Sequence, residues 1–353
     1  KDSVDLAWSD WRGSAGFVRL DDEDAFAVQW ARAYVEFAAG EKRSWLHGHG
    51  ITFLPTVGWA ERGDLRADGH GNSVPRFHVA WGTGTGVVKP FVDSALAAVG
   101  RGLVRLHHRH RVDELLMTDG AVTGVRGMVL APDDAPRGAP SSRDTVGDFE
   151  LRAQAVIITT GGIGGNHDIV RRSWPARMGT PPRSMITGVP AYVDGRMLDI
   201  AAGSGVRLVN RDRMWHYTEG VQNWDPIWPQ HAIRILPGPS SMWFDALGRR
   251  LPAPYLPGYD TLGTLRYLRT NPEIAGYDHS WFILTQKIIE KEFALSGSEQ
   301  NPDITNSDRV GMLRERLMSK GAPAPVEAFK SRGADFVVAD TLDELVAMMN
   351  KLT

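Results

Sequence analysis

Between Asp24 and Leu46 the apolar side chains return at helical spacing: Phe26, Val28, Trp30, Ala31, Tyr34, Phe37 and Ala38. Steps of three and four put them on one stripe, which predicts an amphipathic helix over residues 24–46. A second helix is predicted over residues 86–99, after a glycine-rich turn. The period then shortens. Leu103–His108, Glu114–Met117, Val122–Leu130 and Phe149–Leu151 read as strands, and "MTDGAVTGV" reads as a hairpin turning at Asp119-Gly120. "APDDAPRGAPSSRD" (Ala131 to Asp144) is dominated by Pro, Asp, Ser and Gly and is expected to be a surface loop. The run Ala155–Ile158 is apolar without interruption, and Thr159 and Thr160 lead it into the glycine cluster "GGIGGN". Such a run predicts a strand buried on both faces, as in the centre of a parallel sheet, followed by a helix starting near Asn166 or Asp168.

Composition changes this picture little. The chain has 353 residues, 42% of them hydrophobic, and a formal net charge of −2, which suits two globular domains and argues against a nucleic-acid partner. The basic run "HHRHR" (His107 to Arg111) lies in a strand-like segment and reads as a partly covered strand rather than a phosphate track. There is no cysteine, hence no disulfide, thiolate metal site or cysteine nucleophile. His107, His108 and His110 alternate along a strand and His47 and His49 close a helix, so no metal site is expected. No run reaches the ~18 apolar residues of a membrane span, and a cytoplasmic location is the expectation.

The glycine cluster carries the chemistry. At the carboxyl end of a strand, glycines let a ligand approach the backbone and its free N–H groups, as a nucleotide or flavin requires; the same residues equally suit a tight β–α turn with no ligand. The dinucleotide fingerprint G-x-G-x-x-G is absent: "GTGTG" (Gly82 to Gly86) and "GGIGG" both fail it. P-loop and G-x-S-x-G patterns are absent too, which removes the usual ATPase and hydrolase signatures.

Several stretches, in order, resemble one family. "VIITTGGIGGN" is similar to the second nucleotide-site strand of FAD-dependent dehydrogenases of the fumarate reductase/succinate dehydrogenase flavoprotein superfamily. "GHGNSVPRFH" (Gly69 to His78), "HRHRVDELLMTDGAVTGV", "VDGRMLDIAAGSGVRLVN", "MWHYTEG", "SSMWFDALGRRLP" and "ADTLDELVAMMN" (Ala339 to Asn350) resemble further segments of it. The nearest subgroup is the actinobacterial FAD-binding dehydrogenases related to 3-ketosteroid dehydrogenases. The resemblance implies an α/β fold: a partial Rossmann-like FAD-binding domain with an inserted β-meander over residues 1–212, an α+β substrate or cap domain over 213–340, and a return linker over 341–353. It also implies the middle portion of a longer flavoprotein, without the glycine fingerprint and the closing glycine-rich segment, and therefore weak FAD binding by this chain alone.

By the same resemblance, His70, Ser73, Arg76, Val112, Thr160, Gly161, Gly162, Asn166 and Asp194 are the candidate cofactor residues. His216, Tyr217 and Tyr259 are the candidate catalytic residues, with Glu219 as a further acid–base group. The implied reaction moves a hydride between a substrate carbon and flavin N5 while a base removes the neighbouring proton. Two departures matter. "HYTE" replaces the family's His-Pro-Thr-Gly, and "LPGYDTLGTLRYL" (Leu256 to Leu268) lacks the Arg-Asp pair of fumarate reductases, Arg266 lying instead in a predicted helix. A small dicarboxylate is therefore disfavoured. The aromatics Trp215, Tyr217, Trp224, Trp228, Trp243, Tyr255 and Tyr259 suggest an apolar pocket for a ketosteroid-like or other bulky ring ketone, or equally an aromatic domain core. The alternatives are a fumarate-reductase-like enzyme and a catalytically inactive binding module.

Overall fold

Three helices open the chain in the computed structural model, which describes residues 1–59, 71–318 and 321–353. The first, α1 (Val4–Ala15), starts on Ser3, whose hydroxyl accepts the Leu6 amide at 3.1 Å, and stops at the left-handed Gly16. The helix expected over 24–46 is two, α2 (Asp24–Ala39) and α3 (Lys42–Gly48). Gly40 divides them, a residue that costs roughly 1 kcal/mol in a helix interior. Strands β1 (Phe53–Gly58) and β2 (Phe77–Ala80) pair antiparallel. Helix α4 (Thr83–Gly100) begins earlier than expected, because Gly82 at φ 80° already turns the chain into it.

The expected meander is present. Strands β3 (His110–Thr118), β4 (Ala121–Leu130) and β5 (Thr145–Arg152) form an antiparallel sheet in chain order, each longer than its apolar core suggested. Asp119 and Gly120 both take positive φ (49° and 79°), as the tight hairpin requires. The loop at 131–144 is stitched to the sheet by Arg109, which donates to the carbonyls of Ala131 and Ser142 at 2.9 and 2.6 Å.

The central-strand expectation fails. Residues 155–159 form no strand, and Ile157 is 86% exposed. Leu103–His108 forms none either. Among the described residues every ladder is antiparallel, and the parallel pairing is one isolated bridge, Thr187 with His231. An uninterrupted apolar run signals burial on two faces, but an extended backbone becomes a strand only beside a partner, and no described strand runs beside this one.

Helix α5 (His167–Arg172), a 3₁₀ turn at Ala176–Met178 and α6 (Arg196–Gly203) follow. The remainder alternates short elements: β6 (Gly220–Gln222), β7 (Ala232–Leu236), β8 (Met242–Phe244), α7 (Thr261–Thr270), β9 (Trp281–Ile283), α8 (Gln286–Lys291), β10 (Ala294–Leu295), α9 (Pro302–Thr305), α10 (Arg309–Leu313), a π turn at Arg314–Met318, α11 (Ala324–Arg332) and α12 (Leu342–Met349). The main hydrophobic core lies here. Ile233 and Ile235 alternate along β7, which pairs with β6 and β10, and they pack with Val221, Ile289, Phe293, Leu295, Val326 and Phe329. No helix among the described residues is long and apolar enough to cross a membrane.

Phe329 is 0% exposed in this core. Phe329→Ala should therefore lower unfolding free energy by about 3–5 kcal/mol in urea titrations, whereas Ile157→Ala, at an exposed position, should leave the midpoint nearly unchanged. Equal losses would contradict the placement of the core.

Candidate functional site

The glycine cluster splits into two pairs with different work. Gly164 and Gly165 pack inward: a side chain on Gly165 would lie 2.5 Å from the Pro190 carbonyl oxygen, and the Gly165 amide donates to Val193 O at 2.8 Å. Gly161, at φ 81°, and Gly162 face outward, and a Cβ on Gly162 would meet nothing within 4 Å. Thr160 precedes them, exposed. Asn166 caps α5, its Oδ1 accepting the Ile169 amide at 3.2 Å, while its Nδ2 donates to Asp194 O at 3.3 Å. The Asp194 carboxylate accepts the Arg196 amide at 3.0 Å at the start of α6. Arg196 then donates to Val112 O at 2.8 Å and pairs with Asp113. The structure thus links Asn166, Asp194 and Val112 through one chain of contacts, with Gly161 and Gly162 a few residues before Asn166. Arg196 and Asp113 were missed in the sequence, since an ion pair spanning 83 positions leaves no local signal.

Ser73 and Arg76 lie elsewhere. Both hold Asp10, which is buried in α1: the Ser73 hydroxyl donates to its carboxylate at 2.8 Å, and Arg76 pairs with it while also gripping Asp2 at 2.7 Å. His70 lies outside the described residues. Asp2, Asp10 and Arg76 belong to the wall of a cavity of about 1840 Å³ between α1–α3 on one side and residues 210–215 and the start of α7 on the other. Trp11, Phe17, Tyr34, Phe53, Phe77 and Trp215 make its aromatic lining.

One buried carboxylate ties the two walls together. Asp24 is 1% exposed and accepts the amides of Val18 and Arg19 at 3.0 and 2.9 Å and the Arg213 guanidinium at 3.3 Å. Burial alone would raise its pKa, but the amides and the two guanidiniums outweigh that and hold it below the usual carboxylate range. Asp212 bridges Arg19 and Arg177; burial again opposes ionisation, and the two arginines bring its pKa down to about 2.

The three catalytic candidates do not line this cavity, though two of them adjoin wall residues in the sequence. His216 follows the wall residue Trp215 and stacks on Trp174, just past α5, with centroids 4.9 Å apart. Its Nε2 is buried without a hydrogen-bond partner among the described residues, and burial lowers its pKa, which favours the neutral ring. Tyr217 is half-exposed under the Arg234 guanidinium, 3.7 Å from its ring centroid. Tyr259 precedes Asp260, the wall residue that caps α7 by accepting the Gly263 amide at 2.8 Å. Glu219 is 2% exposed, with the Thr261 hydroxyl 3.4 Å from its carboxylate.

Of the aromatics expected to form a pocket, only Trp215 does so. Trp243 is buried against Phe282, Tyr255 stacks on Tyr267, Trp228 stacks on His231, and Trp224 lies under Arg332 against the core. The aromatic lining comes instead from the first 80 residues, where helical spacing had marked Tyr34 only as part of a stripe.

The family model described as FAD binding domain matches residues 1–345. KsdD-like steroid dehydrogenases from two strains of Mycobacterium tuberculosis are 58% identical over 352 residues, covering 100% of this chain and 60% of theirs. One from Mycolicibacterium smegmatis is 57% identical over 352 residues, covering 100% of this chain and 62% of its own. The chain thus spans about 60% of the length of these curated relatives. Among solved structures, the open conformation of a flavocytochrome c3 fumarate reductase aligns with a TM-score of 0.47 at 15% identity, over 92% of this chain and 53% of that one.

The state of His216 has a measurable consequence. Its unfolded pKa is near ~6.5 and its folded pKa is lower, so the folded state binds fewer protons. Its contribution to stability is whole above that pH and is lost as pH falls below it. His216→Phe, which keeps the stack on Trp174, should show a smaller drop in melting temperature between pH 7 and 5 than wild type; an unchanged slope would show that the imidazole is not desolvated.

Proposed function

We infer the function from a family premise: the chain belongs to the FAD binding domain family. We propose that it forms part of an FAD-dependent dehydrogenase acting on a ketosteroid-like or other bulky ring ketone. The observation that carries this reading is the position of His216. Its ring stacks on Trp174, just beyond the helix that the glycine cluster leads into, and its neighbour Trp215 lines the large aromatic cavity. A redox cofactor at the glycines and a ring in the cavity would then meet at this residue. The names of the steroid dehydrogenase relatives support the substrate class.

The residues fit the cofactor on one side. Gly161 and Gly162 leave open space next to free backbone, and the web of Asn166, Asp194, Arg196 and Val112 holds that edge rigid. In this reading Thr160, Gly161, Gly162, Asn166, Asp194 and Val112 hold FAD, with Ser73 and Arg76 fixing α1 at the cavity's edge. FAD, when bound, supplies two-electron redox chemistry. The chain's own residues orient the ring, exclude water and move the proton. His216, with an unpartnered Nε2, is suited to take a proton from the carbon next to a carbonyl; Tyr217 follows it in the sequence, and Tyr259 precedes the wall residue Asp260. The division into a flavin domain over 1–212, a cap over 213–340 and a linker over 341–353 belongs to this reading, as does its Rossmann-like and cap description. The cavity, at about 1840 Å³, exceeds the ~300–1,000 Å³ of ordinary small-ligand sites, which disfavours a small dicarboxylate as sole occupant.

Two experiments test this. In FAD titrations followed by flavin fluorescence, the chain should bind weakly, and Gly162→Val should weaken binding further by about tenfold at unchanged melting temperature. Unchanged FAD affinity would remove the glycine edge from the site. With FAD supplied, a ring-ketone steroid and an electron-accepting dye should give turnover; reduction of fumarate instead, or FAD binding with no turnover of either, would favour the alternatives.

A further inference from the structure

We infer that the cavity takes a substrate with two parts, an apolar ring body and an anionic group, the anion attracted by the field of Lys42 and Arg43 on one wall and Arg266 on the other. This deepens the proposed function and rests on its assignment of the cavity to a ring ketone. Seven cationic side chains and five carboxylates line the cavity among the described residues, in a chain whose formal net charge is −2. Four of the cations are neutralised in place. Arg19 and Arg177 meet Asp212, Arg76 meets Asp2 and Asp10, and Arg213 meets Asp24. The fifth carboxylate, Asp260, accepts the Gly263 amide. Three cations are left over. Arg43 and Arg266 meet no carboxylate among the described residues, and Lys42 meets only the Tyr34 phenol, to which its ammonium donates while lying 4.5 Å from the ring centroid.

The placement of the three matters as much as their number. Lys42 and Arg43 begin α3 on one wall, and Arg266 is on α7 on the other. Between them lie apolar and aromatic surfaces, Trp11 meeting Tyr34 edge-on with centroids 5.4 Å apart. Cations facing an apolar space from two sides, with no carboxylate to answer them, lower the free energy of a ligand whose ring occupies the space and whose carboxylate reaches the wall. A neutral ring ketone would leave all three unanswered.

The test uses two probes of one skeleton: a ring-ketone steroid with a side-chain carboxylate, and its methyl ester. Quenching of tryptophan fluorescence reports binding, since Trp11 and Trp215 are in the wall. The acid should bind about tenfold more tightly than the ester at low salt, and the preference should shrink as salt is raised. Arg266→Gln, and Lys42→Gln with Arg43→Gln, should each reduce the preference at an unchanged melting temperature. Equal binding of acid and ester overturns the inference and leaves the ring-ketone reading standing. Binding of neither probe overturns both. Displacement of the acid by FAD assigns the cations to the cofactor's phosphates and also overturns the inference.

Discussion

A buried carboxylate must be answered, and the answer that Asp24 receives sets the geometry of the site. It sits at the start of α2, almost fully buried, and its partners come from two places: amides at Val18 and Arg19 nearby, and Arg213 from far along the chain. Arg19 and Arg177 converge on Asp212 beside it. Such a web adds little net stability, because desolvation offsets most of the attraction, but breaking it strands a charge. Its value is positional. It fixes the first helices against residues 210–215, and the cavity is the space those two walls enclose.

The division of labour between the chain's parts follows from where the apolar surface goes. Residues from Val221 to Phe329 bury a contiguous core on a small antiparallel sheet. The earlier residues carry much of their apolar surface outward, at Trp30 and Val88 as well as Ile157. Beside smaller buried apolar groups such as Val35, Ile51, Leu115 and Val170, they are tied by polar contacts: the Asp24 web, the Asp10 hub with Arg76 and Ser73, and the chain from Asn166 through Asp194 and Arg196 to Val112. The proposed chemistry lies at the border, where burial lowers the pKa of His216 and its neighbour Trp215 lines the cavity.

The sequence made some of this legible and hid the rest, for physical reasons. Local rules were reliable. The meander, its Asp-Gly turn, the loop at 131–144 and the Asn166 cap all depend on a few neighbouring residues, and all are present. The run Ala155–Ile158 was misread because its composition reports a preference for burial, while strand formation depends on a partner that composition does not name. The aromatics around Trp224 and Trp243 were candidates for a pocket, but Trp243 is buried and Trp224 packs against the core, since a ring buries equally well against either. The cavity's true lining could not be read ahead, because Trp11, Phe77 and Trp215 come from segments far apart in the sequence.

The central claim is that this cavity, bounded by the first helices and by residues 210–215, is where a bulky ring ketone binds. A crystal structure of the protein with FAD and a ring-ketone steroid tests it most directly. The account predicts the steroid between Trp11 and Trp215, with His216 behind its carbonyl-bearing ring. A steroid bound on the Val221–Phe329 side, with this cavity holding only water, would contradict it.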